Sequence, residues 1–291
     1  QRAMACNVAA YEADLALHAH HPQRFTIYTG YVVHNMEFCA WAAMYAGHRQ
    51  TALRATDAIE GFFTEEVLRS SPSMPMFFES YTAPKLMVLV RFGMWKEVLE
   101  IHPRDPEIYQ SFNLFLRYAR AIAYGVRGQL DEAKAEHEFF ITLLALVKPE
   151  DRKHHNVNLR LMGDIAAAVV EGELLYRRGE YEPAFASLRL AVSRFDALPY
   201  DEPHGYLISP RQTLGALLTE NGRFVPAIEV YLEDLKLFPK NPWALSGLAR
   251  CFSATSDERL ERTRCDLSAA LQIADVPIGA SCACAAAYNS P

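Results

Sequence analysis

The sequence predicts an all-α protein, a right-handed α-solenoid built from antiparallel helix hairpins. Three observations predict it. Five glycine-centred turns recur along the chain, apolar positions at helical spacing flank each turn, and the alternating pattern of a strand is almost absent. Of the 291 residues, 51% are hydrophobic and 22% are charged, a composition that buries a core rather than staying disordered.

The opening Gln1-Arg2-Ala3-Met4 reads as the middle of a helix with no leader pattern, so further repeats are expected upstream. The first turn runs from Gly47 to Ala52. It is followed by turns from Gly93 to Val98, Gly128 to Ala133, Gly179 to Ala184 and Gly222 to Ala227. In four of the five the residue five places after the glycine is alanine, because the second helix must cross close to the first. Ala133, Ala184 and Ala227 are therefore expected to be buried. Trp95, Leu130, Tyr181 and Phe224, two places after their glycines, are placed to plug the base of each hairpin. Pro183 and Pro226 sit in the first turn of a second helix, where a missing N–H costs little. A last hairpin begins at Pro242-Trp243-Ala244-Leu245, with residues 258–274 as its second helix. The helical domain is read as residues 1–276, and the Ala/Cys/Ser-rich residues 277–291 as a loosely ordered tail.

A helix–turn–helix unit with a turn glycine and a following small residue is the tetratricopeptide-repeat (TPR) pattern, whose period is about 34 residues. The glycines here are spaced by 46, 35, 51 and 43 residues, so most repeats carry extra sequence. Three insertions, residues 70–84, 148–158 and 198–210, hold many of the prolines, histidines and aromatics, and long connections of this kind are more often functional than decorative. Several strings make the likeness narrower: Val33-His34-Asn35-Met36-Glu37-Phe38, Leu89-Val90-Arg91-Phe92-Gly93-Met94-Trp95, Tyr118-Ala119-Arg120, Tyr200-Asp201-Glu202-Pro203, Pro210-Arg211-Gln212-Thr213-Leu214-Gly215 and Asn241-Pro242-Trp243-Ala244-Leu245. Across residues 30–255 the chain resembles a bacterial and algal-type group of TPR proteins of unassigned role. It departs from that group at His204-Gly205 and at Ala121. The resemblance implies a TPR fold and transfers no reaction.

Charge narrows the partners. The net charge is -6 and no basic cluster exists; the stretch 259–264 alternates its arginines with Glu261. Nucleic acid is thus not expected as a partner. No apolar run approaches the ~20 residues that span a bilayer. Six cysteines at 6, 39, 251, 265, 282 and 284 suit a reducing cytoplasmic setting, with a C-terminal disulfide as the alternative. Cys282-Ala283-Cys284 is too tight for a C-x-x-C redox motif or a zinc knuckle.

Candidate ligand-binding residues are His34, Asn35, Glu202, Tyr206 and Arg211. His34-Asn35 is read at the head of a first helix, where Asn35 either caps the helix or, with His34, faces a groove. The loop 200–211 combines carboxylate, imidazole, phenol and guanidinium; Glu202 and Arg211 either pair as a structural ion pair or line a polar pocket with His34 or Tyr206. His18, His20 and His21, and the pair His154-His155, are read as exposed rather than metal-binding, since their spacing is wrong for a helical metal pair. No catalytic or cofactor signature is present. The inner-face positions Glu37, Trp41, Tyr118, Ile122, Val169, Glu173, Gln212 and Ala216 include no basic residue, which argues against a carboxylate clamp. Two functions follow: a scaffold holding a protein or peptide segment in its concave groove, or a pocket for a small polar ligand or metal closed by the insertions.

Overall fold

In the computed structural model every one of the five turn glycines adopts the left-handed conformation, with φ between 63 and 79°. Only glycine takes that conformation without a Cβ penalty. Behind each glycine the next N–H bonds back to a carbonyl five residues earlier, as Gln129 N does to Tyr124 O (2.9 Å) and Glu180 N to Leu175 O (3.0 Å). This is the helix-ending bond pattern expected of a C-terminal glycine. The described residues are 2–20, 27–70, 75–148, 153–154 and 156–289.

The helices are α1 (Arg2–His20), α2 (Ile27–Ala46), α3 (Arg49–Phe62), α4 (Glu65–Ser70), α5 (Pro75–Ser80), α6 (Pro84–Arg91), α7 (Trp95–Glu100), α8 (Gln110–Val126) and α9 (Leu130–Leu146). They continue with α10 (Leu159–Arg177), α11 (Tyr181–Asp196), α12 (Pro210–Glu220), α13 (Phe224–Leu237), α14 (Pro242–Thr255) and α15 (Leu260–Leu271). Among the described residues the sheet content is one antiparallel pair, β1 (Lys153–His154) and β2 (Val157–Asn158). Consecutive helices pair as hairpins: α2 with α3, α6 with α7, α8 with α9, α10 with α11, α12 with α13 and α14 with α15. The first helices touch in sequence, α2 to α6 to α8 to α10 to α12 to α14, and α14 returns to α2. Trp243 makes that return, donating from Nε1 to Met44 O at 2.8 Å.

Ala52, Ala133, Ala184 and Ala227 are fully buried, as the repeat pattern predicts. The crossings are tight. A Cβ on Gly172 would lie 2.6 Å from Leu188 Cγ, and one on Gly215 or Gly247 would strike the Tyr231 ring, at 2.5 and 2.2 Å. α12 and α14 thus approach the Tyr231 side of α13 only because both positions lack a side chain.

Two expectations change, the head of α2 and the state of the tail. His34-Asn35 is not at a helix head: α2 begins at Ile27, because the buried row Val32, Val33 and Met36 extends the helix upstream onto α1. Among the described residues the first insertion carries a short helix, α5, whereas residues 198–209 form a loop without regular secondary structure. Glu79 of α5 is buried and accepts from Ser111 N (2.8 Å) and Phe112 N (3.4 Å), capping α8. Within residues 148–158, Val157 packs onto Gly205 so closely that a Cβ there would lie 2.4 Å from it. The tail, finally, is docked. Ile278, Ala280, Ser281, Ala283, Cys284 and Ala285 are buried, and Cys282 and Cys284 form a disulfide.

Candidate functional site

Two sites stand out, one on the loop 198–210 and one where the tail docks. The first is a cleft of about 770 Å³. Phe38 and Trp41 of α2, Phe195 at the end of α11, Tyr200, His204 and Phe238 give it aromatic walls; Asp196, Glu202, Arg211, Glu233 and Lys236 supply charge. The walls are held by ring contacts. His204 stacks on Phe195 (centroids 3.9 Å, 13° between planes), and Phe238 meets Tyr45 at 4.6 Å and Trp41 at 6.1 Å. Burial pushes the His204 imidazole below its ordinary range, so at neutral pH it is an uncharged wall. The Trp41 indole N–H is buried with no hydrogen-bond partner among the described residues.

The second site is the inner face, where residues 275–289 run across the first helices. Asp275 starts the segment by accepting from Arg49 N (2.6 Å) and Gln50 N (2.9 Å), capping α3. Three arginines from three hairpins then take main-chain carbonyls of the segment. Arg250 Nη1 donates to Gly279 O (3.2 Å), Arg91 Nη1 to Ser281 O (3.2 Å), and Arg177 Nη2 to Cys284 O. Ser246 Oγ donates to Ile278 O (3.0 Å), Ser281 Oγ donates to Gln212 O (2.7 Å), and Ala286 N donates to Glu220 Oε2 (2.8 Å). Tyr288 stacks on Trp243 at 6.2 Å. Arg91 is fully buried, and burial lowers it to about 10, so it stays cationic at neutral pH. A buried charge needs compensation; Arg91 finds it in the Ser281 carbonyl and in the Trp243 ring face, 3.6 Å from its Cζ.

No protein-family model matches this chain, and no curated protein matches it. The site therefore rests on its own geometry.

Of the five predicted residues, Glu202 and Arg211 do line one cleft. They are not an ion pair. Arg211 makes a two-pronged bridge to Asp196 (2.7 and 2.6 Å), because the end of α11 lies against the start of α12. Glu202 instead accepts from the Tyr200 hydroxyl. His34 does not line the cleft; its ring packs edge-on against Phe38 (6.1 Å), one turn short of it. Asn35 donates to Asp14 Oδ2 (3.3 Å) and ties α2 to α1. Tyr206 is 1% exposed and points into the core, where burial and the neighbouring Tyr118 phenol raise it well above its ordinary range. Phenol and imidazole followed helix packing rather than the polar loop. His21 and His155, and the side chains of His18 and His154, lie outside the described residues.

Sequence reasoning missed Arg91, Arg177 and Arg250 as donors to the tail. Arg177 lies one turn beyond Glu173, and Arg91 and Arg250 lie on α6 and α14, where no position was compared with a carboxylate clamp. Among the described residues the one grouping of three metal-type donors is Glu173, Cys282 and Cys284. With both sulfurs tied in a disulfide it leaves a metal only one carboxylate, which does not fit a zinc site.

Proposed function

We propose that this chain is a TPR-like right-handed solenoid whose inner face binds a polypeptide segment through its main chain, and that its own turn-rich residues 275–289 are one such occupant. The observation that carries the reading is the set of three arginines, Arg91, Arg177 and Arg250, donating to three backbone carbonyls of one segment. Carbonyls recur in every peptide, so this contact reads main chain rather than a particular side chain. Selectivity comes from size: Ala280, Ser281, Ala283 and Ala285 are small and buried against the first helices. A partner segment of small residues would compete for the same face.

The test is isothermal titration of a synthetic peptide of residues 275–291 into a chain ending at residue 274, whose helical circular dichroism is first matched to the full chain. The expected result is saturable binding that the full chain lacks. Replacing Arg91, Arg177 and Arg250 together with Gln should weaken it by at least about tenfold, since hydrogen bonds from charged donors contribute about 1.5–3 kcal/mol each. Equal binding to both chains, or none to a folded short chain, contradicts the reading.

A second reading is favoured by the cleft: aromatic walls, the unpartnered Trp41 N–H and the charges of Glu202 and Arg211 suit a small aromatic ligand with a polar group. Quenching of Trp41 fluorescence by an anilinonaphthalene sulfonate probe, lost in Trp41→Phe, tests it; a signal unchanged by that substitution contradicts it.

A further inference from the structure

The Cys282–Cys284 disulfide stands beside the carboxyl group of Glu173, with both sulfurs and a carboxylate oxygen within 4.8 Å of one another. We propose that Cys282, Cys284 and Glu173 form a dithiol–disulfide exchange site whose substrate is an external dithiol or disulfide, with Glu173 as the proton relay. The bond is poorly placed to be a staple. Its cysteines are two residues apart, and so short a loop gains the least from chain-entropy loss.

The surroundings suit exchange. Cys282 is partly exposed and Cys284 is buried, so attack from solvent falls on Cys282 Sγ and ejects Cys284 Sγ into the interior. A bare thiolate is costly there. Glu173 is 3% exposed, and burial pushes its carboxyl up to about 7, with Arg177 pulling down and Glu220 pushing up. The groups facing it are Arg177 of its own helix (3.5 Å from Oε2), Glu220 at the end of α12 and the Tyr118 phenol of α8. A carboxyl poised near neutrality can hold a proton and give it to a thiolate of ordinary pKa about 8.5.

In the reducing direction, a thiolate of the external dithiol attacks Cys282 Sγ. A mixed disulfide forms, the Cys282–Cys284 bond breaks, and Cys284 Sγ leaves with the electron pair and takes the Glu173 proton. The second thiolate of the reagent then attacks its own sulfur in the mixed disulfide. Cys282 Sγ leaves as thiolate and is protonated by water, and Glu173 recovers its proton from solvent. The chain gains two electrons and two protons, and the dithiol becomes a cyclic disulfide.

The experiment uses the full chain with the exposed Cys6 and Cys265 changed to Ser. Differential alkylation read by mass spectrometry follows Cys282 and Cys284 across a series of glutathione buffers. The rate of reduction by dithiothreitol, corrected for its thiolate fraction, is measured from pH 5 to 9. The expected result is a pair that opens and closes together and reversibly, with a corrected rate that falls as pH rises through about 7. Glu173→Gln should remove that inflection and slow reduction at pH 6 by about a hundredfold, the lower end of general-acid contributions. A pair already alkylated without reductant, or one that stays closed in fully reduced glutathione, overturns the proposal. So does an inflection retained in a Gln variant of native circular dichroism. If that variant does not fold, a flat corrected profile in the parent chain overturns it alone.

Discussion

Ala184 illustrates how little room the hairpins leave. It is fully buried where α11 crosses α10, and its carbonyl lies 3.1 Å from the position a Cβ on Gly172 would take. Ala184→Leu should overpack this crossing and cost about 1–3 kcal/mol, read as a lowered midpoint in thermal unfolding. Glu173 makes a prediction of a different kind. Its carboxyl rises from an ordinary 4.5 to about 7, so the folded chain binds this proton more tightly than the unfolded one. Its contribution to stability is full below about 4.5 and is lost as pH rises through about 7, a change on the order of 3 kcal/mol. The buried imidazoles of His137 and His204 are shifted down and act in the opposite sense. The quantity to measure is therefore the difference between the parent and Glu173→Gln in denaturant unfolding at pH 5 and pH 8. The Gln variant should gain relative stability at pH 8; an equal difference at both pH values contradicts the assignment.

At the scale of elements, caps join parts of the chain far apart in sequence. Asp275 caps α3 from 226 residues away and also lies 3.4 Å from His48 Nδ1. Asp275→Ala should cost about 1 kcal/mol, as loss of an N-cap does, and should raise the protease sensitivity of the tail. If the tail is no more readily cleaved, Asp275 does not anchor it. The five glycine turns were legible because a left-handed residue leaves a specific mark in sequence. A sixth turn, closing α14, was not: it uses Ser256 at φ 53, and serine marks many other kinds of loop. The head of α2 was misplaced because His34-Asn35 resembles a cap, whereas the buried apolar row runs on past it.

At the scale of the whole molecule, closure of the array depends on Trp243. It bonds Met44 on α2, carries Arg91 on one face and stacks with Tyr288. Trp243→Phe keeps most of the ring but removes one of the two hydrogen bonds that the Met44 carbonyl accepts, the other coming from Gly47 N (3.2 Å), and should cost about 0.5–1.5 kcal/mol in denaturant unfolding; an unchanged midpoint would mean that this bond does not hold α14 to α2. The cleft was half legible, since Glu202 in the loop and Arg211 at the start of α12 lie close in sequence, while Phe38 and Trp41 come from more than 150 residues away. The docked tail was not legible at all. Alanine, serine and cysteine are individually weak burial signals, yet small side chains are what the space between the first helices admits. Arg91 and Ser281 are 190 residues apart, and no local pattern links them.

The central claim is that the inner face holds a polypeptide segment by its main chain. It is tested most directly by cutting the folded chain at a protease site engineered between residues 272 and 275 and passing the nicked product through size-exclusion chromatography. The account predicts that residues 275–291 co-elute with the helical body, and that they are released when Arg91, Arg177 and Arg250 are replaced by Gln. A tail that separates at once from the nicked parent, or that stays equally bound without the three arginines, would contradict it.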